Sequence, residues 1–595
     1  MIYVEKLGFF HLLILRLSKE HVFYSSKSIP MRLFEKLNIK VNAKIITFGD
    51  VQTATNIRRE AYQTAELYLG RIKGKQWAAE LSNHLGIDFS LIAKKFFFDV
   101  LYTKYEFIEL ALRYAQEHPD ESHLIYVDKQ FLEPYEDKLK ETVKVRILRA
   151  FDAINFLTIF LLPGFLNVFW RKNGVEGDKC FNNQIVCGID GEKLYEMFSN
   201  IFQSYPSKEF VIEKNRVIGE FSNERLSELQ IKVLGLTRDD YLYLKDAAYK
   251  FIFCSLKHYK EISIYGNKLF WIFKALIVGR AATIQGGGNL FFTYEHSLLM
   301  QDVRNEFLKL CGNRSIFVPM NAHVTPRYFH YEIFINYDVI CAAGKHIEDL
   351  YQERKSLTKI FLPTGSYDSH PRSDMDQNKA ERVACLNAFK GNFVAITILS
   401  PGICDPTYSH EVKLMKLARD LSLQQGVKVF IRMKPVLPIA KYADFYATHT
   451  AECNSILLTF SEYELTDFLE VTDLFVTSIS NSACDLALCG GQVMFIDYMK
   501  ERDLQLFRSV VKEVVFTEEE SFQAIMDWVN DIEHGQSRAK LKKDNHKLTN
   551  YLGYQFADFE SYRENLLTQL RLTFKNHPAL VSVKGHQFGA AESAH

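Results

Sequence analysis

A chain of 595 residues, 47% apolar and 24% charged, is folded and globular and too long for a single hydrophobic core. Basic and acidic residues balance at 72 each, so no overall field draws nucleic acid or an acidic polymer, and any anion must be caught locally. The ten cysteines are scattered without a Cys-x-x-Cys pair; they suggest neither a zinc site nor a disulfide framework, and fit buried reduced thiols in the cytoplasm.

The first 24 residues lack the basic start of a signal peptide, and charges interrupt their apolar run. They read as a strand at Met1–Val4, a turn at Gly8 and an amphipathic helix. Further strands are expected at Lys44–Phe48, His123–Val127 and Glu209–Ile212, and helical periodicity dominates Val51–Ile72, Lys75–Gln116 and Asp239–Arg280. Ala153–Trp170 holds eighteen residues without a charge, flanked by Arg146, Arg149, Arg171 and Lys172 and divided at Pro163-Gly164. It reads as a buried helix pair, a hairpin on a membrane surface, or a span. Lys172–Gly191 reads as an exposed connection, and Gly286–Asn289 as a flexible turn or a place where backbone approaches a ligand.

From Ile333 strands and helices alternate. Strands are expected at Val339–Ala342, Lys359–Leu362, Phe393–Leu399, Lys428–Met433, Ser455–Thr459, Leu474–Thr477 and Val493–Ile496, with helices at Glu411–Gln425 and Glu464–Glu470 among those between. Such spacing predicts a parallel, doubly wound sheet. After Val515 helices run to about Phe574, and the small polar tail 585–595 reads as disordered. The expected division is an N-terminal α/β domain with a helical insertion over 1–332, a Rossmann-like domain over 333–535, and C-terminal helices over 536–584.

Three pieces of the C-terminal half fall at strand ends. Gly402 follows the strand FVAITILS; Arg432 and Lys434 close the strand VFIRMKP; and Ser478, Ser480, Asn481 and Ser482 form a polar turn before a helix that carries Asp485. In an open α/β sheet ligands bind outside such ends, and helix N-termini and arginine both suit phosphate. Singly, each has a plain structural reading as a helix cap or solvated charge.

Together these pieces resemble the nucleotide-binding domain of GT-B glycosyltransferases, nearest to bacterial surface-polysaccharide transferases and CDP-glycerol glycerophosphotransferases. In that group a Lys-x-His-Pro segment follows one strand and an Asp-Tyr-Ser-Ser segment with a downstream Phe-Asp follows a later one. RMKP stands at the first place with Lys434 for the histidine; SISNSACD stands at the second with Ser480, Asn481 and Asp485. Gly365, Ser366 and Asp368 occupy the group's interdomain turn, whose Pro-Arg-x-Asp letters recur at Pro371–Asp374. The likeness covers roughly 333–500.

The resemblance implies two Rossmann-type domains facing a cleft, with helical insertions and a helical C-terminus. It implies transfer of a sugar from a nucleotide-sugar donor to a cell-surface glycan or lipid-linked acceptor, with no cofactor, no metal and no nucleic acid. The absence of a Glu-x7-Glu pattern at Glu411 favours inversion. Alternatives are a CDP-glycerol-type phosphotransferase, a nucleotide-sugar epimerase, and a non-catalytic scaffold of a polysaccharide assembly machine. The expected location is cytoplasmic, with possible peripheral contact on the inner face of the membrane. Inversion needs a general base: Asp128 and Glu5, at N-terminal strand ends, are the chosen candidates, with Glu295-His296 behind them. Asp374-Met375-Asp376 has metal-binding spacing but reads as solvated loop.

Overall fold

The computed structural model describes residues 2–6, 22–26, 43–45, 51–71, 74–121, 123–127, 131–139, 144–146, 156–175, 179–206, 208–214, 221–266, 268–294, 299–321, 333–369, 378–400, 409–433, 453–460, 462–478, 480–497, 515–531, 535–575 and 577–581. The architecture is α/β, built on three sheets.

The first sheet contains β1 (Ile2–Lys6), β2 (Val22–Ser26), β3 (Ala43–Ile45), β4 (Leu124–Tyr126) and β5 (Lys144–Arg146), in the order β3-β2-β1-β4-β5. The middle sheet contains β6 (Ile185–Ile189), β7 (Lys208–Glu213), β8 (Ile231–Leu234), β9 (Leu290–Thr293), β10 (Arg314–Phe317), β11 (Val339–Ala342) and β12 (Ile360–Pro363). Its order is β12-β11-β10-β9-β6-β7-β8. The last sheet contains β13 (Val394–Leu399), β14 (Val427–Arg432), β15 (Ile456–Thr459), β16 (Leu474–Thr477), β17 (Val493–Asp497) and β18 (Val515–Thr517), ordered β15-β14-β13-β16-β17-β18.

In each sheet the chain starts at an inner strand, steps outward through two neighbours, then returns to the other side of the first strand. Every pair within the three sheets is parallel. This is the doubly wound order, and it places switch points between β1 and β4, between β6 and β9, and between β13 and β16.

Three expectations change. The stretch read as an exposed connection over 172–191 contains β6, an inner strand of the middle sheet, with Ile185, Val186 and Cys187 wholly buried. Its five residues sit behind a Gly- and Asn-rich lead that masks them. The strands β11 and β12, grouped from sequence with the C-terminal unit, pair with β10 instead. The seam between the middle and last sheets therefore falls after Pro363. Two sheets were expected, and three are present, because the short N-terminal strands close a sheet of their own.

The helices after β18 also divide. Leu541, Leu548 and Leu552 of the helix Gln536–Leu552 join the core of the last sheet. Tyr562, Leu566 and Leu570 of the helix Phe559–Thr573 pack back on the middle sheet. Helices 75–85 and 89–117 replace one expected helix. Gly86, at φ +67°, closes the first by donating its N–H to the Ser82 carbonyl, and Asp88 caps the second by accepting from the Leu91 N–H at 3.1 Å.

Around them an aromatic layer packs between the first and middle sheets. Trp77 meets Phe89 and Phe251 edge-on at 5.3 and 5.6 Å. A short helical turn at Leu157–Leu161 runs into the helix Leu162–Asn173, with Phe156, Ile159, Leu162 and Leu166 buried on one side only. No helix among the described residues is long and apolar enough to cross a membrane.

Candidate functional site

The tips of β13, β14 and β16 lie side by side. Leu399 is in register with Arg432 on one flank and Thr477 on the other, and the Ser400 N–H donates to the Arg432 carbonyl at 3.0 Å. Arg432 and Thr477 are thus two strand spacings apart, about 10 Å. Threonine hydroxyls pin these tips: Thr477 donates to the Leu399 carbonyl at 2.9 Å and Thr459 to the Ile431 carbonyl at 3.2 Å. Of the pieces read from sequence, Arg432 closes β14 and Ser478 follows β16 directly.

After β16 the chain passes through buried Ser478 to half-buried Ser480, which is extended at φ −155° and begins the helix Asn481–Leu488. The Ser480 side chain makes no capping hydrogen bond, so it leaves the first helical N–H groups to other acceptors. Ser482 is half-buried on the first turn and Asp485 is buried. Asn481 is the first helical residue, and its side chain lies outside the described residues.

Arg432 closes β14, with β13 between it and β16. Its guanidinium is largely buried, and among the described residues it has neither a hydrogen bond nor an ion pair. Burial pulls its pKa down, against the pull of Glu464 and Asp467. Asp467 is already taken, since Arg382 grips it at 2.6 and 3.1 Å and the Glu464 N–H donates to it at 2.8 Å. The Glu464 carboxylate, the stronger of the two pulls, accepts the Asp467 N–H, so a half-sequestered arginine whose neighbouring carboxylates are engaged elsewhere is disposed to bind an incoming anion. Gly402 and Lys434 lie outside the described residues.

A second switch point lies in the middle sheet, between β6 and β9. β6 ends at Ile189 and is followed by Asp190, extended Gly191 and the helix Glu192–Ile201; β9 ends at Thr293 and is followed by Tyr294. A small cavity here is lined by Ile189, Asp190, Glu213, Thr293 and Arg304. Burial pushes the Tyr294 phenol up to about 12; an Asn321 amide donating at 3.3 Å opposes this, and Asp485, Asp368 and Asp190 add to it.

Those three carboxylates come from three places. Asp190 follows β6, Asp368 lies in the turn after β12, and Asp485 belongs to the last sheet's helix. Tyr294 therefore marks where the two sets of strand ends converge. Cys489, just past that helix, donates its thiol to the Ser369 carbonyl at 3.4 Å across the same seam, and Lys193 pairs with Asp368 at 2.8 Å.

Sequence reasoning did not select Asp190 or Tyr294. The signal for Asp190 was present, an apolar run closing on Asp-Gly in IVCGIDG, as in HLIYVD before Lys129. Glu5 lies on β1 in the first sheet with its side chain outside the described residues, and Asp128, Glu295, His296, Asp374 and Asp376 also fall outside them. The turn at Gly286–Asn289 stands at the start of β9, at the opposite end of the sheet from the switch point. It is packed: a Cβ on Gly286, at φ +83°, would come within 2.0 Å of the Phe181 carbonyl, and buried Asn289 donates to that carbonyl at 2.6 Å and to Asn313 at 2.9 Å.

One group among the described residues has metal-ligand composition: Glu80, His84 and Cys254, in the helical layer. The Glu80 carboxylate is already held by Lys257 at 2.8 and 3.0 Å and by His258 at 2.9 Å. These bonds keep it down to about 2, so its charge is satisfied by the chain itself.

No protein-family model matches this chain, and no curated protein matches it. Among solved structures it is similar to a putative UDP-N-acetylglucosamine 2-epimerase from Listeria monocytogenes, with 11% identity, 67% of this chain and 98% of that one covered, and a TM-score of 0.40. It is similar to Anabaena HepE in complex with UDP-glucose, at 10% identity over 65% of this chain and 99% of that one, TM-score 0.39. It is also similar to the wall teichoic acid polymerase TagF, at 10% identity over 72% and 98%, TM-score 0.37.

Proposed function

We propose that this chain is a glycosyltransferase that moves a sugar from a nucleotide-sugar donor to a hydroxyl of a cell-surface glycan or lipid-linked acceptor, with inversion. One observation carries the reading: Arg432, partly buried and without a hydrogen-bonding or ionic partner among the described residues, closes β14 two strands from the end of β16, which leads into a helix whose N-cap side chain, Ser480, makes no capping hydrogen bond. A diphosphate bridging the two would meet a guanidinium at one end and backbone N–H groups, Ser478 and Ser480 at the other. Lys434, two residues on, adds charge in the same proposal.

The acceptor then enters from the middle sheet. Its hydroxyl attacks the anomeric carbon while the Asp190 carboxylate takes the proton. The bond from that carbon to the phosphate oxygen breaks, and the departing diphosphate keeps the electron pair. Arg432 and the helix N–H groups stabilise the growing charge, worth several kcal/mol in a site closed to water. No step in this scheme calls for a metal. Asp190 is preferred to Asp128 and Glu5 because its sheet meets the last sheet at Tyr294.

Calorimetry with uridine and cytidine diphosphates tests the donor site. Binding that weakens on Arg432→Ala supports it, and no binding of either nucleotide refutes it. Incubation with donor alone separates transfer from epimerisation, since only an epimerase would convert the sugar to its epimer without an acceptor.

A further inference from the structure

Two helices of the aromatic layer carry apolar faces that are exposed among the described residues. On the first, running from Leu157 to Asn173, the exposed positions include Leu157, Phe160, Leu161, Gly164 and Val168, a stripe at helical spacing with Asn167 at its edge. It ends at exposed Arg171 and Lys172. On the second, Arg238–Lys257, the outward face carries Leu242, Tyr249, Phe253 and Leu256, with the exposed charges Lys245 and Asp246 between the first two. Phe253 is 65% exposed and Leu161 is 64% exposed. Such positions are normally polar on a solvated helix.

The two helices lie alongside each other in opposite directions. Trp170, near the end of the first, packs on Tyr241 near the start of the second at 5.3 Å; Phe156, before the first, meets Tyr259, beyond the second, at 4.9 Å. The buried faces of both join one core, so both stripes turn away from it together. Trp271, 47% exposed, extends the apolar surface from the neighbouring helix Lys268–Ala281, with Lys274 over its ring.

The unpaired charges around this surface are mostly cations. Among the described residues Arg171, Lys172, Arg238, Lys245 and Lys260 are exposed and make no ion pair, against the single exposed, unpaired acid Asp239, whereas Asp246 is neutralised by Lys250 at 2.6 Å. An apolar stripe with cations at its margins fits the headgroup boundary of an anionic bilayer: aromatic and aliphatic side chains enter the acyl region and the lysines reach back to phosphate.

We propose that the paired faces of helices 157–173 and 238–257 dock this protein on an anionic lipid surface. The proposal is independent of the transfer chemistry, because it uses no residue of either switch point. The stripe on helix 238–257 also takes it beyond the apolar run at 153–170 alone.

The test is co-sedimentation of the full chain with phosphatidylcholine vesicles, with and without about 30% phosphatidylglycerol. Binding to the anionic vesicles only is expected. It should fall at least tenfold in the double variant Leu161→Glu with Phe253→Glu, and several-fold in Lys245→Glu with Lys260→Glu or at high salt (order of magnitude from roughly 1 kcal/mol per basic residue near the surface). Both variants change exposed positions, and an unchanged thermal melt confirms that they fold. Failure to bind either vesicle, or equal binding by both variants, overturns the proposal. So does a wild-type dimer that Phe253→Glu dissociates, which would assign the face to a second copy of the chain.

Discussion

The middle and last sheets share one winding order yet present opposite chemistry at their switch points. The last sheet offers a cation and hydroxyls: Arg432, Ser478, Ser480 and the first N–H groups of a helix. The middle sheet offers Asp190, Glu213 and a Tyr294 phenol held neutral by burial. The difference teaches that the winding supplies only a place to bind. In the proposed reaction the residues at each tip divide the work, anion binding on one side and proton acceptance on the other.

The most damaging way to test that division is at Asp190. Asp190→Asn keeps the shape and removes the base, so turnover should fall by roughly 10²- to 10⁴-fold while donor affinity stays within about twofold. Steady-state kinetics with calorimetry on the same variant separate the two quantities. A variant that still turns over at the wild-type rate would return the base to Asp128 or Glu5.

The sheets also differ beneath their tips. At the base of the middle sheet Asp240 is wholly buried between Lys179 at 2.7 Å and Arg280 at 2.7 Å, with Gln285 donating at 3.1 Å. Burial opposes its ionisation, but the two cations win and hold the carboxyl below its usual range. Asp240→Ala leaves Lys179 buried without its counter-charge and should cost about 3–5 kcal/mol in denaturant unfolding. Because the folded carboxyl is lowered, its contribution is complete above about pH 4 and is lost as pH falls through the lower folded value. A melt series from pH 6 down to pH 3 should show the wild type losing ground faster than the variant.

On the other side of the comparison, Arg432→Ala removes the cation at the last sheet's switch point. A charged hydrogen bond to phosphate is worth about 1.5–3 kcal/mol, so the donor dissociation constant should rise by roughly 10- to 100-fold. Arg432→Lys restores charge without the forked geometry and should recover only part of it. Full recovery would mean that the anion is met as a point charge.

Much of the last sheet was legible in the sequence and much of the middle sheet was not. Strands such as Phe393–Leu399 and Leu474–Thr477 are apolar runs with turn residues at both ends, the mark of a strand covered on both faces. β8 has a mixed run instead, Ile231-Lys232-Val233-Leu234, with Lys232 exposed and paired to Glu209 at 3.0 Å. β9 and β10, LFFT and RSIF, are four residues each beside long helices, too short to give a period. β2 was absorbed into an amphipathic helix for the same reason. The pieces proposed as the donor half could be picked out because each is a short cluster in sequence, Arg432 with Lys434 in one and Ser478, Ser480 and Ser482 in the other. The seam at Tyr294 was not, because Asp190, Asp368 and Asp485 meet only through the packing of two sheets.

The tail ties the comparison together and yields the smallest effect. Helix 559–573 returns to the middle sheet, and beyond it His577 donates from Nε2 to the Gly288 carbonyl at 2.6 Å while its Nδ1 accepts the Ala579 N–H at 3.3 Å. Only the neutral ring with its proton on Nε2 makes both bonds. Burial lowers the imidazole pKa, with the Gly288 bond opposing. Protonation therefore favours the detached tail: the anchoring is complete above about pH 6.5 and is lost as pH falls toward the folded value. Amide exchange at residues 578–581 should accelerate between pH 7 and pH 5.5, corrected for intrinsic rates, by no more than a few-fold, with no change at β13 or β16. A matching loss of protection in the last sheet would mean that the tail braces both sheets, and that the two switch points are mechanically coupled through it.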